Sequence, residues 1–427
     1  MRTTMTPHAS EADVRPYTYD ETEALVYHVA DTVYGTSELS FYETDSDTSS
    51  VRSYNSASTL CSQDARAYFQ EVDGRLYPVD PAIPIFMPQD EQETRRLDHE
   101  HIALKLVMGS NYVGPVASHL QYEPSAPRKR VLDIGTQQGT WVQEMASEFP
   151  HVEFVSLDFS PMVAHTPREN IVFEVYDLYA GLAEADASFD MVHIRHTANK
   201  VGNYPFLVQE LYRVLRPGGL LVSGEFENET YGADNPDVPL GDASARLTRA
   251  LVLVRQALAA QGVTVDAGRQ LPALLSSPRL FAPSRSVSPD LSSELDNNCS
   301  RASFNNFSTR VPGVQQQSST SPSPISTSAT GFVRITPFTF YVPATPWPDP
   351  YTHPQLHEAG RHLVVGVQYG WPSLIPLLTV HSGISTDEAR EVVAGAVEDH
   401  LVRSELKHII KFHTVWAYKA ADQPRSD

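Results

Sequence analysis

The chain has 427 residues of which 41% are hydrophobic, which fits one large folded unit with polar additions rather than several independent cores. Its 52 Asp and Glu against 32 Lys and Arg leave a formal charge of −20, which repels a phosphate backbone and argues against direct nucleic-acid binding. Cys61 and Cys299 are its two cysteines, too few for a disulfide framework or a cysteine-based zinc module; no apolar run of about 18 residues occurs, so secretion and membrane association are disfavoured and the expected location is intracellular, cytoplasmic or nuclear.

Residues 1–61 read as a disordered acidic arm: residues 1–60 hold ten acids against three arginines and no apolar period that repays the entropy of ordering. Residues 62–127 read as an N-terminal cover. Within it, Ala67 to Pro88 is extended and proline-punctuated, a strap over a domain, and Asp90 to Met108 has a helical period with Leu97, Ile102, Leu104 and Leu106. A core is expected over 128–275. It opens with a short strand, Val131-Leu-Asp-Ile, a glycine turn at Gly135, and a helix carrying Trp141, Val142, Met145 and Phe149. Further strands are expected at Val152–Leu157, Ile171–Tyr176, Phe189–Arg195 and Leu220–Ser223, with a helix around Leu207–Leu215 and another around Leu247–Leu258. Strands alternating with helices of this length pair in parallel through crossovers, so the fold class is an open α/β sheet. Residues 276–330, rich in Ser, Pro, Asn and Gln, read as a disordered insertion. Residues 331–420 complete the sheet: a strand from Phe332 toward Tyr341, helices around His357–Leu378 and Thr386–Leu401, and a last strand, His408–Tyr418, expected to run antiparallel. Residues 421–427 are a tail.

Ligands of open α/β sheets collect at the carboxyl ends of the strands, which places Gly135, Asp158 and Asp177 along one crevice. Gly135 and Gly139 allow close backbone approach, and the following helix offers unpaired N–H groups to an anion. Asp158, nineteen residues after Gly139, stands where a carboxylate grips ribose hydroxyls, and Asp177 can accept from an exocyclic amine. Together they describe a pocket for a nucleoside with an anionic tail.

The ordered set Val131-Leu-Asp-Ile-Gly-Thr-Gln-Gln-Gly, Val155-Ser-Leu-Asp-Phe-Ser-Pro-Met, Phe173-Glu-Val-Tyr-Asp-Leu, Ser188-Phe-Asp-Met-Val-His-Ile-Arg and Leu215-Arg-Pro-Gly-Gly resembles the class I S-adenosylmethionine (SAM)-dependent methyltransferases over residues 128–262. Asp90-Glu-Gln-Glu-Thr-Arg-Arg-Leu-Asp, Ala267-Gly-Arg-Gln-Leu-Pro and Pro346-Trp-Pro-Asp extend the resemblance to the fungal LaeA-like group linked to secondary metabolism. The resemblance implies a Rossmann-like seven-stranded sheet, parallel but for one antiparallel strand, with helices on both faces. It implies SAM as cofactor, with Gly135, Thr136 and Gly139 around the methionyl part, Asp158 on ribose, and Asp177 with Leu178 at adenine. Asp133, Gln137 and Phe159, inside the same motifs, complete the cofactor set, and Tyr112 is a candidate for closing the methionyl end. Gln137 stands where the family commonly has a further glycine; either its side chain crowds the cofactor, or the turn is adjusted to it, as in other members with a non-glycine residue there.

Methyl transfer needs chiefly in-line positioning, and a general base only where the acceptor must lose a proton. His193, His196 and Glu225 are the candidates for that base, and a hydrogen-bonded loop residue is the blander reading of each. No cluster has metal-ligand spacing, so no metal is expected. The acceptor is a small organic molecule or a protein side chain. Two other readings stand beside the enzyme: a methyltransferase-fold regulatory partner that turns over poorly, and a nicotinamide-dependent oxidoreductase, which the glycine spacing Gly135…Gly139 disfavours because it is not G-x-G-x-x-G.

Overall fold

The computed structural model describes residues 28–30, 57–59, 66–160, 168–175, 178, 181–278, 280–281 and 331–421. Five strands form the centre: β5 (Arg130–Ile134), β6 (Glu153–Asp158), β7 (Ile171–Val175), β8 (Phe189–Arg195) and β9 (Leu215–Phe226). They pair in parallel in the order β7-β6-β5-β8-β9, so strand order reverses between β5 and β8. β13 (His408–Lys419) lies antiparallel beside β9, with Phe412 opposite Phe226, and antiparallel beside β12 (Phe332–Pro343). These seven strands are parallel except for β13, as expected, and four further short strands extend the sheet to eleven.

Side-chain alternation divides the interior into two layers. Leu132, Ile134, Val155, Leu157, Val192 and Ile194 face one way, into a cluster with Tyr204, Leu207 and Leu211 of α4 (Tyr204–Val214) and Leu271 and Leu274 of α6 (Ala267–Leu275). Val131, Phe154, Met191, Leu220 and Val222 face the other way, into a cluster with Trp141, Val142 and Met145 of α3 (Thr140–Glu148) and Val116 of α2 (Val116–His119). A period of two along strands covered on both faces produces this near-continuous hydrophobicity.

A helical cover lies over this frame. α1 (Glu91–Met108) starts at Asp90, whose side chain accepts from the Glu93 N–H, and packs on α7 (Pro354–Ser373) through Ala103, Leu104, Ala359 and Leu363. α5 (Ala245–Ala260), α7, α8 (Ile375–His381) and α9 (Thr386–Val402) share a further apolar cluster. The stretch Pro354–His381 has the length and a mean hydropathy, 1.4, to cross a membrane by composition, which differs from the sequence expectation. Here Val367, Trp371, Leu377 and Leu378 are buried in that cluster, as in the core helix of a folded domain.

Several elements depart from expectation. The strap begins as a hairpin, β3 (Phe69–Val72) and β4 (Arg75–Pro78), turned by Asp73 and Gly74 at φ 52° and 75°, the pair of left-handed residues a type I′ turn requires. From the arm read as disordered, β1 (His28–Ala30) pairs in parallel with β7, and β2 (Ala57–Thr59) pairs with β1; a few backbone hydrogen bonds on an open sheet edge suffice to place them without an apolar period. The rest of residues 1–65, most of 276–330 and residues 422–427 lie outside the described residues. β9 absorbs the Arg216–Gly219 turn, two short strands, β10 (Tyr231–Gly232) and β11 (Asn235–Pro239), follow it, and the helix expected over 357–378 breaks in two around Pro372 and Pro376. α6 forms despite Gly268 and Pro272, because the burial of Ala267, Leu271, Leu274 and Leu275 outweighs poor helix propensity.

Candidate functional site

The turn after β5 is built on three consecutive odd positions with positive φ: Gly135 at 83°, Gln137 at 51° and Gly139 at 79°. A Cβ on Gly135 would stand 2.7 Å from Thr197 Oγ1 and 3.0 Å from the Arg195 carbonyl, so the turn is pressed against the end of β8 and only glycine fits. Gln137 occupies the left-handed region with a side chain and is buried, a local strain that a glycine would not carry. Gly139 is the N-cap of α3 and supplies no side-chain cap, leaving the first N–H groups of the helix open toward the crevice.

Asp158 closes β6 beside this turn. It is buried; its Oδ2 accepts from the Gln137 N–H and its Oδ1 from the Phe159 N–H, both at 2.8 Å. Burial pushes its carboxyl up, against the Lys200 cation and these N–H donors. Over this end lies the strap: Gln89 Oε1 accepts from Ser160 Oγ, and Ile85 exchanges two hydrogen bonds with Gln261, at 2.7 and 3.1 Å. Phe159 and Leu178 fall in the same apolar cluster as Ile83 of the strap and Leu182, with Lys200 Nζ 5.4 Å from the Phe159 ring. Asp177, expected at adenine, lies outside the described residues.

On the α3 face of the sheet, the register sets Asp133 of β5 opposite both Ser156 of β6 and His193 of β8, which brings the three into one buried network. Ser156 Oγ donates to Asp133 Oδ2 at 2.7 Å and meets Thr136 Oγ1 at 2.8 Å, and His193 Nδ1 lies 2.7 Å from Asp133 Oδ1. Trp141 stacks on His193 with ring centroids 3.5 Å apart, and its Nε1 donates to the Asn111 carbonyl. Asp133 has both oxygens engaged below the turn, by Ser156 and His193. One expectation is corrected here. His193 sits within β8, not after it, sealed by Trp141, with burial lowering its pKa, so it is a packed residue rather than a base at the rim. Tyr112 is corrected too. Its hydroxyl donates to Glu148 at 2.7 Å and its ring faces Phe149, at the far end of α3, roughly 12 Å along the helix from the turn it was expected to close.

His196 and Glu225 do stand at the rim. His196, at φ 54°, follows β8; its Nδ1 is 3.3 Å from Glu100 and its ring lies against Phe226 and Phe412. Burial first, and then the Arg195, Arg96 and Lys200 cations, drive it down to about 3 against the pull of Glu100, so it is neutral at pH 7 and a poor proton acceptor. Glu225 Oε1 accepts from the Thr197 and Ala198 N–H groups at 3.0 and 3.1 Å, holding the turn that follows β8. Burial pushes its carboxyl up to about 8 from 4.5, so stability due to its protonation is complete below pH 4.5 and is lost as pH rises through 8. Glu225→Gln keeps the accepting oxygen without the charge. Urea titrations are expected to show the native chain losing about 2–3 kcal/mol relative to this variant between pH 5 and pH 7.

Sequence reasoning missed the charge that α1 buries above the rim. Arg96 is bracketed by Glu93 at 2.8 Å and Glu100 at 2.5 Å, all three nearly inaccessible. His101, one residue on, meets Arg195 of β8 at 3.0 Å and Glu144 of α3 at 3.4 Å, and Lys105 reaches the same Glu144 oxygen at 2.6 Å. Hydrogen bonding from His101 and Lys105 pulls Glu144 down to about 2 despite its partial burial. The signal available was the spacing Glu93, Arg96, Glu100, at three and four residues, which aligns opposite charges on one helix face but reads equally as a solvated stripe.

The residues present fit a nucleoside carrying an amino-acid end. Gln138 Oε1, in the turn itself, is a buried acceptor without a partner among the described residues, the kind of atom an ammonium group satisfies. Open helix N–H groups suit a carboxylate, and the Asp158 carboxylate, with backbone N–H donors from Gln137, Phe159 and Ser160, keeps acceptor capacity for a hydroxyl. Among the described residues no group of three or more His, Cys, Asp or Glu is placed to hold a metal ion.

Residues 115–270 match the family described as "Methyltransferase domain". The chain is 32% identical over 165 residues, 38% of its length, to 40% of a Coprinopsis cinerea protein named "Secondary metabolism regulator laeA". It is 31% identical over 38% of its length to 42% of the Emericella nidulans "Protein-methionine methyltransferase laeA", and 29% identical over 52% of its length to 65% of the Aspergillus terreus "Methyltransferase pytC". It thus spans about two-fifths of the length of the first two relatives. With the strand order, the glycine turn and the acid closing β6 in place, residues 115–270 match a methyltransferase domain, and over about two-fifths of its length the chain is similar to proteins named laeA.

Proposed function

We propose that the whole chain is a working SAM-dependent methyltransferase that serves fungal secondary metabolism or its regulation, inside the cell, on a small organic acceptor or a protein side chain. The observation that carries this reading is the turn Gly135–Gly139 pressed against β8 with Asp158 hydrogen-bonded across it, at the point where strand order reverses. The names of its relatives, two of them methyltransferases and one a regulator of secondary metabolism, support the rest.

When bound, SAM supplies a methyl group already activated by a sulfonium, so the protein's task is to hold and to exclude. Asp158 would take the ribose hydroxyls, the N-terminus of α3 and Gln138 the amino-acid end, and the apolar residues Ile83, Phe159 and Leu178 the base. α1 and the strap shield the rim from water. Neutral His196 and protonated Glu225 orient the loop after β8 and leave proton removal to an acceptor acidic enough to lose its own proton, or to one that needs no deprotonation.

Calorimetry on the full chain tests the reading. S-adenosylhomocysteine is expected to bind, and Asp158→Ala to weaken it by at least about 100-fold. Absence of binding to the native chain at millimolar ligand would refute it. A second reading, a methyltransferase-fold partner with little turnover, draws support from strained Gln137 and from the Asp158 oxygens already engaged by backbone. It predicts cofactor binding without labelled methyl transfer to any fraction of a cell extract, whereas transfer that disappears with Asp158→Ala excludes it.

A further inference from the structure

Two arginines among the described residues are buried, and they are treated very differently. Arg96 has a carboxylate on either side. Arg195, 8% exposed, has no carboxylate within ion-pair distance among the described residues, and the polar contact its guanidinium makes with them is one hydrogen bond at 3.0 Å, donated by Nη2 to His101 Nδ1. A guanidinium carries five N–H donors, and a buried cation left without an anion costs several kcal/mol, so this arrangement is expensive in the ligand-free protein. The acids nearest to it are occupied: Asp133 by Ser156 and His193, Glu100 by Arg96, Glu144 by Lys105, and Glu225 by two backbone N–H groups.

The position of Arg195 indicates what the cation is for. It is the last residue of β8, on the α3 face, one strand from the glycine turn, and its own carbonyl is one of the two groups against which Gly135 is pressed. His101 fixes the fork from the cover helix α1. The ring is a neutral acceptor at Nδ1, because burial lowers its pKa, and its other nitrogen points to Glu144. A planar fork held by one corner, with its remaining donors free beside a ligand crevice, matches a carboxylate in two-point geometry better than any point charge.

We infer that Arg195, oriented by His101, is a seat for a ligand carboxylate at the rim of the sheet. The carboxylate belongs either to the amino-acid end of the cofactor, an assignment that rests on the function proposed above, or to the methyl acceptor. Arg195 is thereby a binding residue and His101 its positioning residue.

The full chain and its Arg195→Met and Arg195→Lys variants decide the matter with three probes: S-adenosylhomocysteine, 5′-methylthioadenosine, which lacks the amino-acid end, and acetate. Without ligand, Arg195→Met is expected to melt at or above the temperature of the native chain, since an unpaired buried charge is removed. A clearly lower melting temperature would make Arg195 a structural brace and overturn the proposal. Acetate is expected to raise the melting temperature of the native chain and not that of Arg195→Met. If the seat is the cofactor's, Arg195→Met weakens S-adenosylhomocysteine by about 100-fold and 5′-methylthioadenosine by less than about threefold, Arg195→Lys falls between, and saturating S-adenosylhomocysteine abolishes the acetate effect. If the seat is the acceptor's, both nucleosides keep their affinities and the acetate effect persists on the cofactor-loaded native chain. Equal losses for both nucleosides, together with no acetate effect, would sink the seat. Failure of both nucleosides to bind the native chain would instead remove the cofactor reading, and the acetate comparison would still judge the seat.

Discussion

Arg96→Met is expected to lower the unfolding free energy by about 3–5 kcal/mol, measured by urea titration at pH 7, because it leaves two carboxylates buried without a counter-charge. Arg96 donates Nε and Nη2 to the two oxygens of Glu93, each at 2.8 Å, and Nη1 to Glu100 at 2.5 Å. The Arg96 side chain lies against Gly366 and Gly370 of α7, where an added Cβ would stand 4.0 Å from its Nη1 and 3.6 Å from its Cδ, in ordinary contact. Replacing Glu93, Arg96 and Glu100 together by Leu, Met and Leu removes the charges as a set and is expected to restore most of the loss. Hydrogen exchange should place the single variant's damage in α1 and α7 and leave β5 to β9 protected, since the sheet has its own two apolar layers.

The second large effect is acid sensitivity from buried neutral histidines. His196 and His400 are both driven to about 3 by burial, from 6.5. His196 is faced by Glu100, Arg96, Arg195 and Lys200. His400 accepts from Trp371 Nε1 at 3.2 Å and is faced by His408 and Asp399. The unfolded chain takes up these two protons near pH 6.5 and the folded chain does not, so the stability they represent is whole above pH 6.5 and lost as pH falls toward 3. Two protons correspond to a slope of about 2.7 kcal/mol per pH unit over that range. Glu225 acts in the opposite direction from pH 4.5 to 8, at about half the slope of the two histidines, so the balance turns where the histidine contribution is complete and maximal stability is expected near pH 6.5. A His196→Phe, His400→Gln double variant should flatten the acid limb in urea titrations between pH 6.5 and pH 4.5; an unchanged slope would show that other groups set it.

What the sequence discloses and what it hides divide along a physical line. β5, β6, β7 and β8, and the helix α3 after β5, are legible within a residue or two, because strands covered on both faces are written as short, largely apolar runs. The turn at Gly135–Gly139 and the carboxylate of Asp158 are legible for the same reason: strand ends fix where backbone turns. The hairpin around Asp73-Gly74 carried a readable turn pair, overshadowed by the prolines after it. α6 was hidden because Gly268 and Pro272 oppose a helix that only tertiary burial rewards. The fate of Tyr112, Asp133 and His193 was hidden because nothing local tells which end of a helix a loop residue meets, or that an aspartate in a glycine-turn motif points beneath the turn. The unpaired fork of Arg195 is the least legible of all, since it depends on which acids elsewhere are already taken.

β13 is the last strand in chain order, yet it lies between β9 and β12, and pairs with both for most of its length. Until a ribosome has delivered residues 408–419, two strands made about a hundred codons apart expose facing edges with nothing between them. One half of the sheet can mature during translation, from β5 to β9, while the other waits. A nascent chain stalled before that point would offer an unfilled slot to chaperones or to the matching strand of another copy, so premature termination late in the message is expected to be as damaging as termination early.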